Sequence, residues 1–140
     1  MPPYPRSSNL AAYRSVAVHG GIAADNPHQL TLMLMDGALE RLSAARGCLE
    51  RGDLPQKARL LQKTAGIVGE LRASLDLRGG GALAGNLDDL YEYMERQLLR
   101  ANLENKAAYL TEVSSLLTEV RSAWAAIGGQ NMAARAVATR

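Results

Sequence analysis

The chain has 140 residues, nearly half of them apolar, a net charge of +2 and a single cysteine. That length and composition suit one domain with a real core and exclude general disorder. The small, interspersed charge argues against a nucleic-acid binder, which gathers basic residues on one face, and no stretch holds the about 18 consecutive apolar residues of a membrane span.

Cys48 has no intrachain partner, so a reduced, cytoplasmic setting is expected. The opening Met1-Pro2-Pro3-Tyr4-Pro5-Arg6 lacks the charged-then-apolar order of a signal peptide. Phe is absent and the apolar mass is Leu, Ala, Val and Met, which favours helices over sheets.

In chain order, residues 1–25 are expected to form a mobile N-terminal segment that can dock on the rest. Its middle, Leu10 to Val18, is long enough for one or two helical turns before Gly20-Gly21 breaks it. So short a helix does not hold alone, because nucleation is costly. Asn26-Pro27 then starts the first long helix: Asn26 supplies a capping oxygen, Pro27 needs no N–H at the first position, and Gln29 stands where a capping box would put it.

This helix is predicted over Pro27–Arg51, with Met35, Ala38, Leu39, Leu42, Ala45 and Leu49 inward. Leu30 to Met35 is apolar on nearly every side, which demands more than one neighbour. Gly52 closes it and Asp53 caps the next, so the two are antiparallel neighbours.

The second helix is predicted over Leu54–Asp76, with Leu61, Thr64, Val68, Leu71 and Leu75 inward and Leu60 and Ile67 widening the stripe. Gly66 and Gly69 lie mid-helix, where each costs about 1 kcal/mol relative to Ala. After Gly79-Gly80-Gly81 the third helix is predicted over Ala82–Leu103, with Leu83, Leu87, Leu90, Met94 and Ala101 inward and Asn105 at the turn. The fourth covers Lys106–Ile127, where Leu110, Val113, Leu117, Val120, Trp124 and Ile127 alternate steps of three and four. Gly128-Gly129 is expected to stop it, leaving 129–140 as a flexible tail. The whole is an all-α, antiparallel up-down four-helix bundle over 26–128, with the short helical segment before it.

Catalytic chemistry is missing from this pattern. A di-iron bundle needs Glu-x-x-His pairs, and no Glu here is followed three residues later by His. His19 and His28 have no metal-ligand partners in sequence, and Cys48 reads as a small buried thiol. Gly79-Gly80-Gly81 lacks the Lys-Ser/Thr ending and the preceding strand of a phosphate loop. No enzyme, no metal and no cofactor are expected.

Three features point instead to binding another helix. The apolar stripes of helices one, two and four are wider than a two-in-seven seam. Ala58, Ala65, Gly66, Gly69 and Ala73 form a small-residue strip that an added helix can approach closely. The detachable segment around Tyr13 is placed to cover an apolar groove. A groove between helices is an established seat for an amphipathic helix, although wide stripes and small residues also serve packing within a bundle.

Several short pieces, in fixed order, resemble the flagellin-specific export chaperone family (FliS). They are Ala12-Tyr13 with Val16; Asn26-Pro27 with Leu30 and Leu32-Met33-Leu34-Met35-Asp36-Gly37-Ala38; Leu71-Arg72-Ala73-Ser74-Leu75-Asp76; and Gly80-Gly81 with Leu83-Ala84. Asn86-Leu87, Leu90-Tyr91-Glu92-Tyr93-Met94, Leu98-Leu99, Ala101-Asn102 and Val120-Arg121-Ser122-Ala123-Trp124 continue the series. The chain departs from the family pattern at Met35, where tyrosine is usual before Asp-Gly, and in a longer tail after Gly128.

The resemblance implies a cytoplasmic export chaperone. It would bind the C-terminal helices of flagellin, block their premature polymerisation and deliver them to the flagellar type III export gate protein, with an anti-sigma factor as a further partner in some members. An adaptor for another cytosolic helix, such as that anti-sigma factor, is the alternative. No nucleic acid and no membrane insertion are implied. The expected client-binding residues are Tyr13 and Val16, as a movable cover, and Gly66, Gly69, Tyr91 and Leu99 along the client path.

Overall fold

The computed structural model of the chain describes residues 26–138, with side chains through Gly128. Tyr13, Val16 and the expected docking segment lie outside the described residues. Asn26 caps the first helix as its sequence suggests, accepting the Gln29 N–H at 3.1 Å, and Pro27 takes the first position. The helices are α1 Pro27–Arg51, α2 Leu54–Ala73, α3 Gly81–Glu104 and α4 Ala107–Ala138.

The link between α1 and α2 is as tight as Gly52 and Asp53 imply. Gly52 sits at φ +73°, a left-handed conformation that suits glycine. Asp53 then accepts the Gln56 N–H at 3.2 Å, so each residue ends one helix or starts the other. At the same end of the bundle Asn105 turns the chain between the third and fourth helices at φ +56°, the role its position suggested.

α2 ends at Ala73, three residues short of the predicted Asp76. The Ser74 hydroxyl donates back to the Leu71 carbonyl at 2.8 Å, and Asp76 takes up the Gly79 N–H at 2.9 Å. Such local side-chain bonds offer the backbone an alternative to another helical turn. α4 differs in the other direction, because the stop expected at Gly128-Gly129 is absent and the helix continues to Ala138. A glycine ends a helix when it turns left-handed; Gly128 instead keeps helical backbone, and a side chain packs against it, as described below.

The helices form a ring in which each packs on its two neighbours, α1 on α2 and α4, α3 on α2 and α4. Every seam runs antiparallel: Lys57 meets Asn102 while Arg72 meets Asp88, and Asp36 meets Arg121 while His28 meets Trp124. α1 and α2 share the most extensive seam, and the small residues Gly37, Ala38 and Ala45 of α1 and Gly69 of α2 are buried. Met35, Leu42, Ile67, Val68, Leu71, Met94, Leu98, Leu110, Val113 and Leu117 fill the interior. Cys48 is buried, as its surroundings in sequence suggested.

One end of the bundle is closed by polar bonds. The Lys57 ammonium is buried at the α2–α3 seam and donates to the Asn102 carbonyl at 2.9 Å, to Asn102 Oδ1 at 2.8 Å and to Asn105 Oδ1 at 2.7 Å. Three hydrogens meet three acceptors, which is the full capacity of the group. It also sets a positive charge at the C-terminus of α3, where the helix dipole favours one. Replacing Lys57 with Met would keep the stem and strand those oxygens. We expect Lys57→Met to cost about 1–3 kcal/mol in urea unfolding with helicity retained; an unchanged midpoint would show that water replaces the ammonium.

Candidate functional site

At the opposite end the inward stripes continue but their burial does not. Leu110, Val113 and Leu117 of α4 are buried, whereas Val120, Trp124 and Ile127, next in the same register, are only half-buried. Leu75 and Leu87 are half-buried too, and Leu83, expected to face inward, is 58% exposed. The reason is geometric. Leu83 lies in the first turn of α3, beyond the point where α2 has ended at Ala73, so α2 does not cover it.

The result is an apolar groove in two adjoining parts. The larger, about 290 Å³, is walled by Thr31 of α1, Leu71 of α2, Leu75 of the link after it, Leu83, Ala84, Leu87 and Tyr91 of α3, and Trp124 of α4. The other, about 230 Å³, lies between α3 and α4 among Leu83, Leu87, Val120, Ala123, Trp124 and Ile127. Leu83, Leu87 and Trp124 belong to both, so they form the ridge along which the two parts join. A further notch of about 300 Å³ at the α1–α2 seam shares Thr31 and Ser74 with the larger part and is walled by Pro27, Leu30, Leu34, Glu70 and Ala73. All four helices therefore contribute at this end.

Asp76 lines the larger part and Glu119 the other, and ion pairs stand at the flanks. Arg72 donates to Asp88 at 2.6 Å, with Glu92 and Glu95 nearby at 3.8 and 3.7 Å, and clamps α2 to α3 beside the groove. Arg121 and Asp36 do the same for α4 and α1. These half-exposed pairs fix register more than they add stability. Between α3 and α4, Glu112 accepts from Tyr93 at 2.9 Å and from Gln97 at 2.8 Å. This bond to Glu112 is the main cause that holds the Tyr93 phenol above its ordinary range.

The expected client residues are not gathered in one place. Tyr91 is buried and forms part of the groove wall. Gly69 is buried on α2, Gly66 beside it is half-buried, and Leu99 is 59% exposed four turns along α3 from Leu83. Leu99 and Leu103, the latter 72% exposed, instead make a small apolar face of their own. Sequence reasoning expected an apolar groove but assigned Leu83, Leu87, Trp124 and Ile127 to the core, so the residues that wall it were missed. Periodicity identifies the inward face of a helix but says nothing about where its neighbours end.

Among the described residues, no helix is long and apolar enough to cross a membrane, and no cluster of His, Cys, Asp and Glu is placed to hold a metal ion. What the groove offers is shape and apolar surface open to solvent, the properties of a binding site rather than of a reaction centre.

A family model described as flagellar protein FliS matches residues 9–131. The flagellar secretion chaperone FliSB of Pseudomonas aeruginosa is 50% identical over 115 residues, covering 82% of this chain and 91% of its own. The flagellar secretion chaperone FliS of Salmonella typhimurium is 44% identical over 119 residues, 84% and 88% of the two chains. The protein of the same name from Vibrio cholerae is 38% identical over 116 residues, 83% and 85%.

Burial of Tyr91 in the groove wall has a consequence in alkali. Desolvation pushes its phenol up to about 12, from an ordinary 10.0. A group whose folded value is raised binds its proton more tightly in the fold, so its contribution is complete below the unfolded value. That contribution is lost as pH rises through the folded one. We expect stability to fall between about pH 10 and 12 and a late phenolate step in an ultraviolet titration. The Tyr93 phenol, raised by Glu112, titrates late as well, so Tyr91→Phe should shrink the late step by one phenolate; a step of undiminished size would show that Tyr91 is not part of it.

Proposed function

Since the chain belongs to the FliS family, matched over residues 9–131 and through relatives up to 50% identical, we propose that it is a cytoplasmic flagellar export chaperone. Its client is the C-terminal helical region of flagellin, which it keeps from polymerising and hands to the flagellar type III export gate. The observation that carries this reading is the open groove: an apolar furrow built by all four helices, with Leu83 exposed on its ridge. An amphipathic client helix laid there covers side chains that the fold leaves uncovered.

The energetics suit a carrier. Apolar burial contributes about 25 cal/mol per Å², and ordering a disordered client offsets about 2–5 kcal/mol of the gross interaction. The complex is thus held by area without a chemical step, and release requires only that the client be drawn away. Tyr13 and Val16 serve in this proposal as the movable cover of the furrow. Tyr91 lines the seat, the Leu99 face on α3 extends the client path, and the small side of α2 at Gly66 and Gly69 lets a helix lie close.

The test is a calorimetric titration of the full chain with a peptide of the flagellin C-terminal region. Leu83 is exposed in the free protein, so Leu83→Glu should leave helicity and melting unchanged. We expect it to weaken the peptide by about tenfold or more, the size of an interface hot spot. Equal affinity in a normally folded variant would remove the groove from the client site.

A further inference from the structure

Trp124 is the chain's single tryptophan and stands on the ridge shared by both parts of the groove. Its position is set from behind by a residue that lines neither part. The His28 ring stacks on the indole with centroids 5.3 Å apart and planes 14° from parallel. The indole N–H donates to the main-chain carbonyl of the same residue at 3.2 Å. One residue of the first turn of α1 thus holds Trp124 by its face and by its edge.

The imidazole has a backstop of its own. A Cβ built at Gly128 would overlap the far atoms of the ring, so the imidazole lies directly on the α4 backbone one turn beyond Trp124. This contact accounts for a glycine inside a helix, where alanine is otherwise favoured. The ring therefore has the indole on one side and the main chain of α4 beside it.

We propose that His28 is a positioning residue for the groove, that it props Trp124 on the ridge without touching the occupant, and that Gly128 provides the space that lets it do so. The proposal rests on the reading of the groove as a client seat, and it adds a residue and a mechanism to that seat. If the indole is unpropped, the ridge between Leu87 and Trp124 loosens, and an incoming helix must order it at its own cost.

Because Trp124 is the only indole, its fluorescence reads its surroundings without labels. In the full chain, His28→Ala and Gly128→Ala should both raise acrylamide quenching and shift the emission to the red. The first removes the ring. The second drives it off, since the far end of the side chain is what gives way. Both should weaken the flagellin C-terminal peptide by about three- to tenfold, the range carried by one stacked ring pair.

His28→Phe, which keeps a flat ring, should restore quenching and affinity towards the parent values. Gly128→Ala raises helix propensity, so weaker binding at an undiminished melting temperature is not a folding defect. Unchanged quenching and affinity in both alanine variants, with the parent binding normally, would overturn the prop. If the parent itself fails to bind the peptide, the client reading falls, and the quenching comparison alone decides whether His28 holds the indole.

Discussion

A helix bundle buries an apolar stripe only where helices stand on both sides of it, and in this fold α4 carries its stripe past the point where its neighbours give cover. Leu110, Val113 and Leu117 lie in a closed interior, and Trp124 and Ile127 keep the same register into an open one. α2 has already ended at Ala73, and α3 enters at Gly81 after the turn held by Asp76. The groove is thus the same core continued past the end of α2 and open to solvent there. Side chains already arranged to interdigitate with a helix are presented to solvent at native spacing.

The two ends of the molecule are finished by opposite means. At the closed end the Lys57 ammonium saturates Asn102 and Asn105, and Gly52 and Asn105 turn the chain in left-handed conformations. Polar bonds there fix direction and distance. At the open end the groove walls are largely apolar, and the carboxylate–guanidinium pairs Arg72–Asp88 and Asp36–Arg121 stand at its flanks. Directional bonds hold the frame, and non-directional surface is left for recognition. A surface of that kind can accept helices of varied sequence provided they are apolar on one side.

Much of this was legible in the sequence wherever the signal is local. Asn26-Pro27 and Gly52-Asp53 place both ends of α1 and the start of α2, because caps depend on residues within one turn. The stripes through Leu42, Val68, Met94 and Leu117 identify the interior for the same reason. The misreadings arise where the cause is distant. Gly128 looks like a stop until His28, a hundred residues earlier, is seen lying against it. The role of Lys57 has no signal in the sequence, since nothing near it announces Asn102 and Asn105. Leu83 has the correct period and the wrong environment. Tyr91 could be singled out through family resemblance, but its place in a wall shared with Trp124 needed the tertiary arrangement.

The link of Gly52 and Asp53 has one more consequence, in the order of assembly. Joining α1 to α2 closes almost no loop, so this closely packed pair can form while the rest of the chain is still emerging from the ribosome. The α1–α4 seam, by contrast, unites residues as far apart as Asp36 and Arg121 and has to wait for the last helix. The furrow draws walls from all four helices, so it is completed last. A nascent or truncated copy therefore lacks the complete furrow, which exists only in the finished molecule.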